Sequence, residues 1–341
     1  MVTCPSFDSD RPELAKPVGE VIQLLADTDV VLMAGSGNAI DDRTLPDEPL
    51  LLRGVVTSSI GFNAIDVDAC TARGVLVANA PVETNYEAVV QHTVLLVLAC
   101  ARRLMLAMKV ARAGGGWRMS GQNPSGGDVP ELLSPLDADS TLGVIGLGRI
   151  GYRVARVFRS MFGVNVIAYD PYVPEDRARE IGVTLVEDLG DLLRDSDVVT
   201  IHCHLSTETE HLIGAEEIKA MKPTAYLVNT ARGAIVDEAA LVVALREERI
   251  AGAALDVVEV EPLAVESPLL AMENVIVTPH VAGASLAHQI RAAEFAAKDA
   301  LRLLAGQVPN GLVNPAALAT WAARFGATGI RHGGIVRTTI P

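Results

Sequence analysis

From Thr141 onward the chain alternates short β-branched runs with helical patterns, and this alternation restricts the fold more than any other feature. "LGVIG", "VNVIAYD", "DVVTIHC", "AYLVNTA", "GAALDVV" and "NVIVTPH" read as strands. "GYRVARVFRSMFG", "LGDLLRDS" and "DEAALVVALREERI" read as helices between them. Strands that are apolar on both faces and separated by helices predict a parallel sheet covered on both sides, the doubly wound α/β arrangement. Upstream, "DVVLMA", "GVVTSS" and "GVLVANA" predict a smaller α/β unit, followed by one long helix from Tyr86 to Ala113. "GQNPSGGDVPELLSPLDADS" reads as a loop. After His280, the spacing of Leu286, Ile290, Ala293, Ala297, Leu301 and Leu304 predicts the apolar face of a helix that ends at Gly306 and returns the chain to the first unit. A length of 341 residues suits two domains. The stretch from Trp321 to Pro341 gives no reading.

"GVIGLGRIG" places Gly146, Gly148 and Gly151 directly after a strand and directly before a helix. In that setting the first glycine permits a tight turn, the second lets backbone approach a pyrophosphate, and the third lets helix pack on strand. Asp170 closes the next strand, close to the ~20-residue spacing expected for an acid on the adenosine ribose. A carboxylate there accepts from the 2′-hydroxyl and repels a 2′-phosphate, so the cofactor expected is NAD and not NADP. "AGSGNAI", with Gly35 and Gly37, lacks the third glycine and reads as a turn.

Three polar residues end or follow late strands of the same sheet: Arg232, Glu261 and His280. Each alone has an ordinary reading, as a loop cap, a solvated acid or a strand-end polar residue. Ligands of open parallel sheets bind beyond the carboxyl ends of the strands, so all three can face a cofactor. Together they are what hydride chemistry on a 2-keto acid requires. An arginine holds a carboxylate bidentately, a histidine donates a proton to the carbonyl oxygen, and a glutamate beside the imidazole favours its protonated form.

"GVIGLGRIG", "VNTARGAIVDEAAL", "ALDVVEVEPL" and "NVIVTPHVAGAS", in this order, resemble the NAD-dependent D-isomer-specific 2-hydroxyacid dehydrogenases. The resemblance runs from about Val30 to Pro315. It implies a Rossmann NAD-binding domain at 106–289 inserted into a smaller flavodoxin-like substrate domain at 1–105 plus 290–341. It also implies catalytic roles for Arg232, Glu261 and His280, and cofactor contacts at Arg149, Ile150, Cys203, Thr230, Ala231, Asp256, His280 and Gly283. Substrate contacts are implied at Ser59, Ile60 and Gly61 of "SSIGFN" besides Arg232 and His280, and a homodimer is expected. Relatives that use phosphoglycerate place arginines where this chain reads "VVLMAGS" and "VVTSSIG". Glu261 and Ile60 stand where relatives using formate or phosphite differ. The substrate expected is thus a small unphosphorylated 2-keto acid such as glyoxylate or hydroxypyruvate. The other reading is an NAD-sensing binding protein that acts through protein partners, as the family's corepressor branch does.

The chain departs from the family pattern in a shorter stretch before "SSIGFN", in a loop "APVETNYEAVVQH" one residue longer than the common form with Gln91 for the usual acid, which together leave Asn85 unassigned, and in His204 for the usual proline. A metal site at His202, Cys203 and His204 is not expected, because no further ligand pattern accompanies them. A formal charge of −14, from 42 acidic and 28 basic residues, opposes binding to nucleic acid or an anionic membrane surface. Four scattered cysteines and the lack of an apolar leader or span predict a cytoplasmic protein.

Overall fold

The computed structural model describes residues 16–33, 39–46, 51–112 and 136–326. The turn reading of Gly35 and Gly37 and most of the loop reading between 121 and 140 fall outside these. Two compact units are formed, Met1–Asn85 with Ser285–Pro341 and Tyr86–Ala284, so the second is inserted in the sequence of the first.

The first unit opens with helix α1 (Val18–Ala26), strands β1 (Val30–Met33) and β2 (Gly54–Thr57), helix α2 (Val67–Ala72) and strand β3 (Leu76–Ala78). The strands form a parallel sheet in the order β1-β2-β3. Between β1 and β2 the described residues form no helix, and a bridge joins Ile40 to Ile65. Asp66 caps α2 by accepting from the Ala69 amide, as an N-cap carboxylate does.

The second unit begins on helix α3 (Glu83–Ala101), which is followed by helix α4 (Leu104–Arg112). The expected single helix from Tyr86 to Ala113 is therefore two. Arg103 takes a left-handed backbone (φ 41°), which no continuous helix accommodates. Its guanidinium donates to the Tyr226 hydroxyl. α3 buries residues on several faces, including Val90, Leu96, Val97 and Cys100, whereas α4 buries none.

A seven-stranded parallel sheet follows, built from β4 (Thr141–Ile145), β5 (Asn165–Tyr169), β6 (Thr184–Leu185), β7 (Val198–Ile201), β8 (Tyr226–Asn229), β9 (Gly252–Leu255) and β10 (Val275–Val277). Its order is β10-β9-β8-β7-β4-β5-β6, the Rossmann sequence with one further strand at the edge. Helices α5 (Arg149–Val157), α6 (Glu175–Glu180), α7 (Leu189–Asp195), α8 (Ala215–Ala220) and α9 (Glu238–Arg246) make the crossovers. One apolar layer, with Ile201, Ile218, Leu241 and Leu255, covers one face of the sheet. Another, with Leu142, Val154, Phe158 and Val166, covers the opposite face and takes in α3.

The chain returns to the first unit as helices α10 (Leu286–Leu304) and α11 (Leu318–Phe325). The helix expected after His280 is present, but the expected face is not the buried one. Leu286 and Leu301 are 73% and 64% exposed, and the side chains turned inward are His288, Ala292, Ala296, Asp299, Ala300 and Leu303. Alanine is chosen there by clearance, since Leu303 already packs against Gly54 of β2 so tightly that a Cβ on that glycine would lie 2.7 Å from it. Trp321 of α11 is fully buried in the same cluster, so part of the unread C-terminal stretch is core.

Candidate active site

Because every strand of the large sheet is parallel, the segments after β4, β5, β7, β8, β9 and β10 emerge at one end. They carry the glycine motif, Asp170, Cys203, Arg232, Asp256 with Glu261, and His280 respectively.

The glycine motif has the shape its sequence predicts. Gly146 has φ 89°, and a Cβ there would lie 2.6 Å from the Cys203 amide nitrogen. A Cβ on Gly151 would lie 2.0 Å from the Gly146 carbonyl oxygen, so only glycine lets α5 start this close to β4. Gly148 is the N-cap of α5, and a Cβ built there meets nothing within 4 Å. Asp188, Asp237 and Ser285 cap their helices with side chains, but α5 has no such cap. Its first amides, those of Arg149 and Ile150 included, lack that competing acceptor beside open space, which fits a pyrophosphate. The Arg149 guanidinium is turned onto Tyr86, stacking 5.2 Å from the ring centroid and bonding its hydroxyl.

Asp170 accepts from the Leu147 amide at 2.8 Å through one oxygen and from Tyr172 at 3.0 Å and Val173 at 3.2 Å through the other. The carboxylate is thereby fixed beside the glycine turn, as a ribose contact requires. Cys203 is partly buried, and burial first, with the Asp170 charge adding, pushes its thiol up to about 11. Burial pushes the neighbouring His202 down to about 3, and its ring bonds Thr200 at 3.0 Å. His204 is exposed. Among the described residues no group of three His, Cys, Asp or Glu is arranged to hold a metal.

Asn229 organises the turn after β8 by accepting from the Ala231 amide and donating to the Arg232 carbonyl. Thr93 gives its own proton to the Val89 carbonyl, so the Thr230 hydroxyl donates to Thr93, 2.9 Å away. Gly233 lets this turn meet the one after β9, since a Cβ on it would sit 1.8 Å from the Val258 carbonyl oxygen. That approach brings the charges of Arg232 and Glu261 within reach of each other. Arg232 is half-buried, and its Nη1 donates to the Ala231 carbonyl. Desolvation lowers its pKa and Glu261 opposes the drop.

Glu261 accepts from His280 Nδ1 at 2.7 Å and from the Val258 amide at 3.3 Å. Burial works to raise the carboxyl, but His280, Val258 and Arg232 together hold it below the usual range. The His280 imidazole is raised above its ordinary value, chiefly by the hydrogen bond to Glu261. Burial and Arg232 oppose that rise, and the charges of Glu261 and Asp256 support it. Because ionised Glu261 only accepts, Nδ1 carries a hydrogen and Nε2 is the atom free to exchange a proton.

Asp256 is 1% exposed and serves the same turn. Its carboxylate accepts from the Val281 and Ala282 amides and from the Thr278 hydroxyl, and its carbonyl from the His280 amide. Gly283 lies one residue beyond, partly buried. His92 on α3, Thr278, Thr93 and Tyr86 also belong to this constellation and carried no sequence signal.

In the first unit, the loop after β2 is held through its acceptors. The Ser59 carbonyl takes the Ala80 amide, the Ile60 carbonyl takes the Asn79 side chain, and the Gly61 carbonyl takes the Ser59 hydroxyl. Among the described residues nothing accepts from the Ile60 and Gly61 amides, so they are available to an anion. Asn85, which had no assignment, lies 3.3 Å from the His288 ring.

A family model for the NAD binding domain of D-isomer specific 2-hydroxyacid dehydrogenases matches residues 94–282. Over 264 residues the chain is 44% identical to a glyoxylate reductase of Aeropyrum pernix, which covers 77% of this chain and 76% of that protein. A D-3-phosphoglycerate dehydrogenase of Methanocaldococcus jannaschii is 37% identical over 295 residues, 86% of this chain and 53% of that protein. Among solved structures, D-lactate dehydrogenase from Aquifex aeolicus complexed with NAD and lactic acid aligns with a TM-score of 0.74 at 30% identity, over 87% of this chain and 89% of that one.

Proposed function

Because the chain belongs to the D-isomer specific 2-hydroxyacid dehydrogenases, we propose that it reduces a small unphosphorylated 2-keto acid, with His280 as proton donor and Arg232 as carboxylate anchor. It is an NAD-dependent oxidoreductase of 2-hydroxy acids. The observation that carries the finer reading is the His280–Glu261 pair at 2.7 Å, with the Arg232 charge acting on both. NADH supplies the hydride to the keto carbon when bound. His280 Nε2 gives its proton to the keto oxygen, and ionised Glu261 stabilises the imidazolium beforehand. The Arg232 guanidinium binds the carboxylate and draws charge from the adjacent carbonyl. A carboxylate-binding role for Ser59, Ile60 and Gly61 belongs to the same proposal and is supported by the Ile60 and Gly61 amides, which have no acceptor among the described residues.

Glyoxylate and hydroxypyruvate are the substrates favoured. The glyoxylate reductase relative is the more similar of the two relatives above, and the "SSIGFN" loop carries no arginine for a phosphate. The test is NADH oxidation with glyoxylate, hydroxypyruvate, pyruvate and 3-phosphohydroxypyruvate. Turnover on the first two, and least on the phosphorylated acid, is expected; best turnover on the phosphorylated acid would overturn the choice. NADH is expected to exceed NADPH by on the order of 100-fold in kcat/KM, because the fixed Asp170 carboxylate meets the 2′-phosphate. Parity between the two would remove Asp170 from the ribose site.

A homodimer and a cytoplasmic setting complete the reading. α4 leaves Leu104, Met105, Leu106 and Met108 exposed, and Cys70, Cys100 and Cys203 are free thiols. Light scattering after size exclusion is expected to give twice the 35.9 kDa chain mass, and a monomer mass would overturn the dimer.

A further inference from the structure

We propose that His92 and Thr278 are positioning residues for His280, acting through the buried carboxylate of Asp256. The inference rests on the acid/base reading of His280 given above.

His280 sits in the left-handed backbone region, at φ 52°. For a residue with a side chain this costs about 1 kcal/mol or more, so the turn needs outside restraint. Asp256 supplies it. One carboxylate oxygen takes the Thr278 hydroxyl at 2.6 Å and the Val281 amide at 2.9 Å, and the other takes the Ala282 amide at 2.8 Å. The Asp256 carbonyl takes the His280 amide at 2.8 Å. The residues on both sides of His280 are therefore tied to one side chain that is itself removed from water.

The direction of the remaining bond follows from counting hydrogens. A carboxylate only accepts, so the single proton of Thr278 is committed to Asp256. His92 Nε2 lies 3.0 Å from the same hydroxyl oxygen, which can offer it only a lone pair. The hydrogen must come from the imidazole, and His92 is held with Nε2 protonated. That nitrogen is also 3.5 Å from the Asp256 oxygen. The restraint thus runs from α3 through His92, Thr278 and Asp256 into the turn, and ends on the orientation of the His280 ring toward Glu261. The charged groups acting on His280 are Glu261, Arg232 and Asp256, and only the last is held by this relay.

Removing the relay has two effects that packing alone would not produce together. The His280 ring loses its fixed approach to the keto oxygen, and the Asp256 carboxylate, then held by the Val281 and Ala282 amides alone, is placed less firmly toward the imidazolium, which loses support. Reduction requires protonated His280, and activity falls as pH rises through its pKa. Weaker support from the Asp256 charge moves that fall to lower pH.

The experiment uses the full chain, NADH and glyoxylate across pH, with melting curves for every variant. His92→Ala and Thr278→Val are each expected to lower kcat about tenfold, since small misplacements of a catalytic group cost this much or more. KM for NADH is expected to stay within about twofold and the high-pH fall to move acidward. His92→Gln, which returns an N–H near the Nε2 position, and Thr278→Ser should keep the parental profile. The double variant should fall no further than the singles, because both break one relay. Parental kcat and pH profile in folded His92→Ala, multiplicative losses in the double variant, or failure of the Gln and Ser variants to rescue would each overturn the inference. If His92→Ala does not fold, isosteric Thr278→Val decides. His280→Asn separates the two levels: activity retained in that variant refutes the acid/base reading, whereas its loss beside parental His92→Ala refutes only the relay.

Discussion

His280→Asn is expected to lower kcat/KM for keto-acid reduction by about 10²–10⁴, the range that a general acid contributes. Asparagine is the informative replacement because it tolerates the left-handed backbone at φ 52° better than alanine, so the turn survives while the proton donor is lost. The side chain is about half exposed, so melting behaviour should change little. The pH profile gives a second reading of the same group. The Glu261 hydrogen bond raises the imidazole pKa, so the parent should keep reducing activity above the pH at which an ordinary histidine loses its proton. Oxidation of the hydroxy acid needs the neutral ring and should rise over the same range. Glu261→Gln, which removes the charge, should shift both limbs to lower pH. Activity in His280→Asn near that of the parent would end the acid/base assignment.

Gly233→Ala is expected to damage both folding and catalysis. The added methyl would fall 1.8 Å from the Val258 carbonyl oxygen and 2.5 Å from the Glu259 amide nitrogen, and both are backbone atoms with no rotamer to escape into. The turns after β8 and β9 must then part. Overpacking of this kind costs about 1–3 kcal/mol, which for a unit of this size lowers Tm by about 5 °C. Parting the turns also separates Arg232 from Glu261 and His280, with a loss of about 10²-fold in kcat/KM. A parental Tm with parental activity would mean that the two backbones are not in contact.

What the sequence disclosed, and what it concealed, divides on the range of the interactions. The strands around the glycine motif and the ends bearing Arg232, Glu261 and His280 were legible because parallel-sheet burial writes itself as continuous apolar runs and because glycine at Gly146 answers a local backbone demand. The break at Arg103 was not legible, since apolar residues continue on both sides and only the left-handed φ of one residue separates the helices. The inner face of α10 differs from the expected one because hydropathy ranks leucine above alanine, whereas clearance against β1 and β2 selects Ala296 and Ala300. The short elements β6, α6 and α8 carry too few periods to stand out. His92, Thr278 and Asp256 meet from three separate segments, and no spacing rule joins them.

The order of the segments along the chain also has a bearing on biosynthesis. All of Tyr86–Ala284 is one uninterrupted stretch, while the smaller unit is written in two pieces on either side of it. The sheet of β1, β2 and β3 closes its core with Ala296, Ala300, Leu303 and Trp321, which leave a ribosome only after the whole of Tyr86–Ala284. Synthesis from the N-terminus therefore lets the nucleotide-binding unit fold while the first strands still lack their covering helices. Those strands, Val55, Val56 and Val77 among them, must wait through the translation of an entire domain. This makes the early segment, and not the catalytic one, the part of the nascent chain that most needs shielding from premature association.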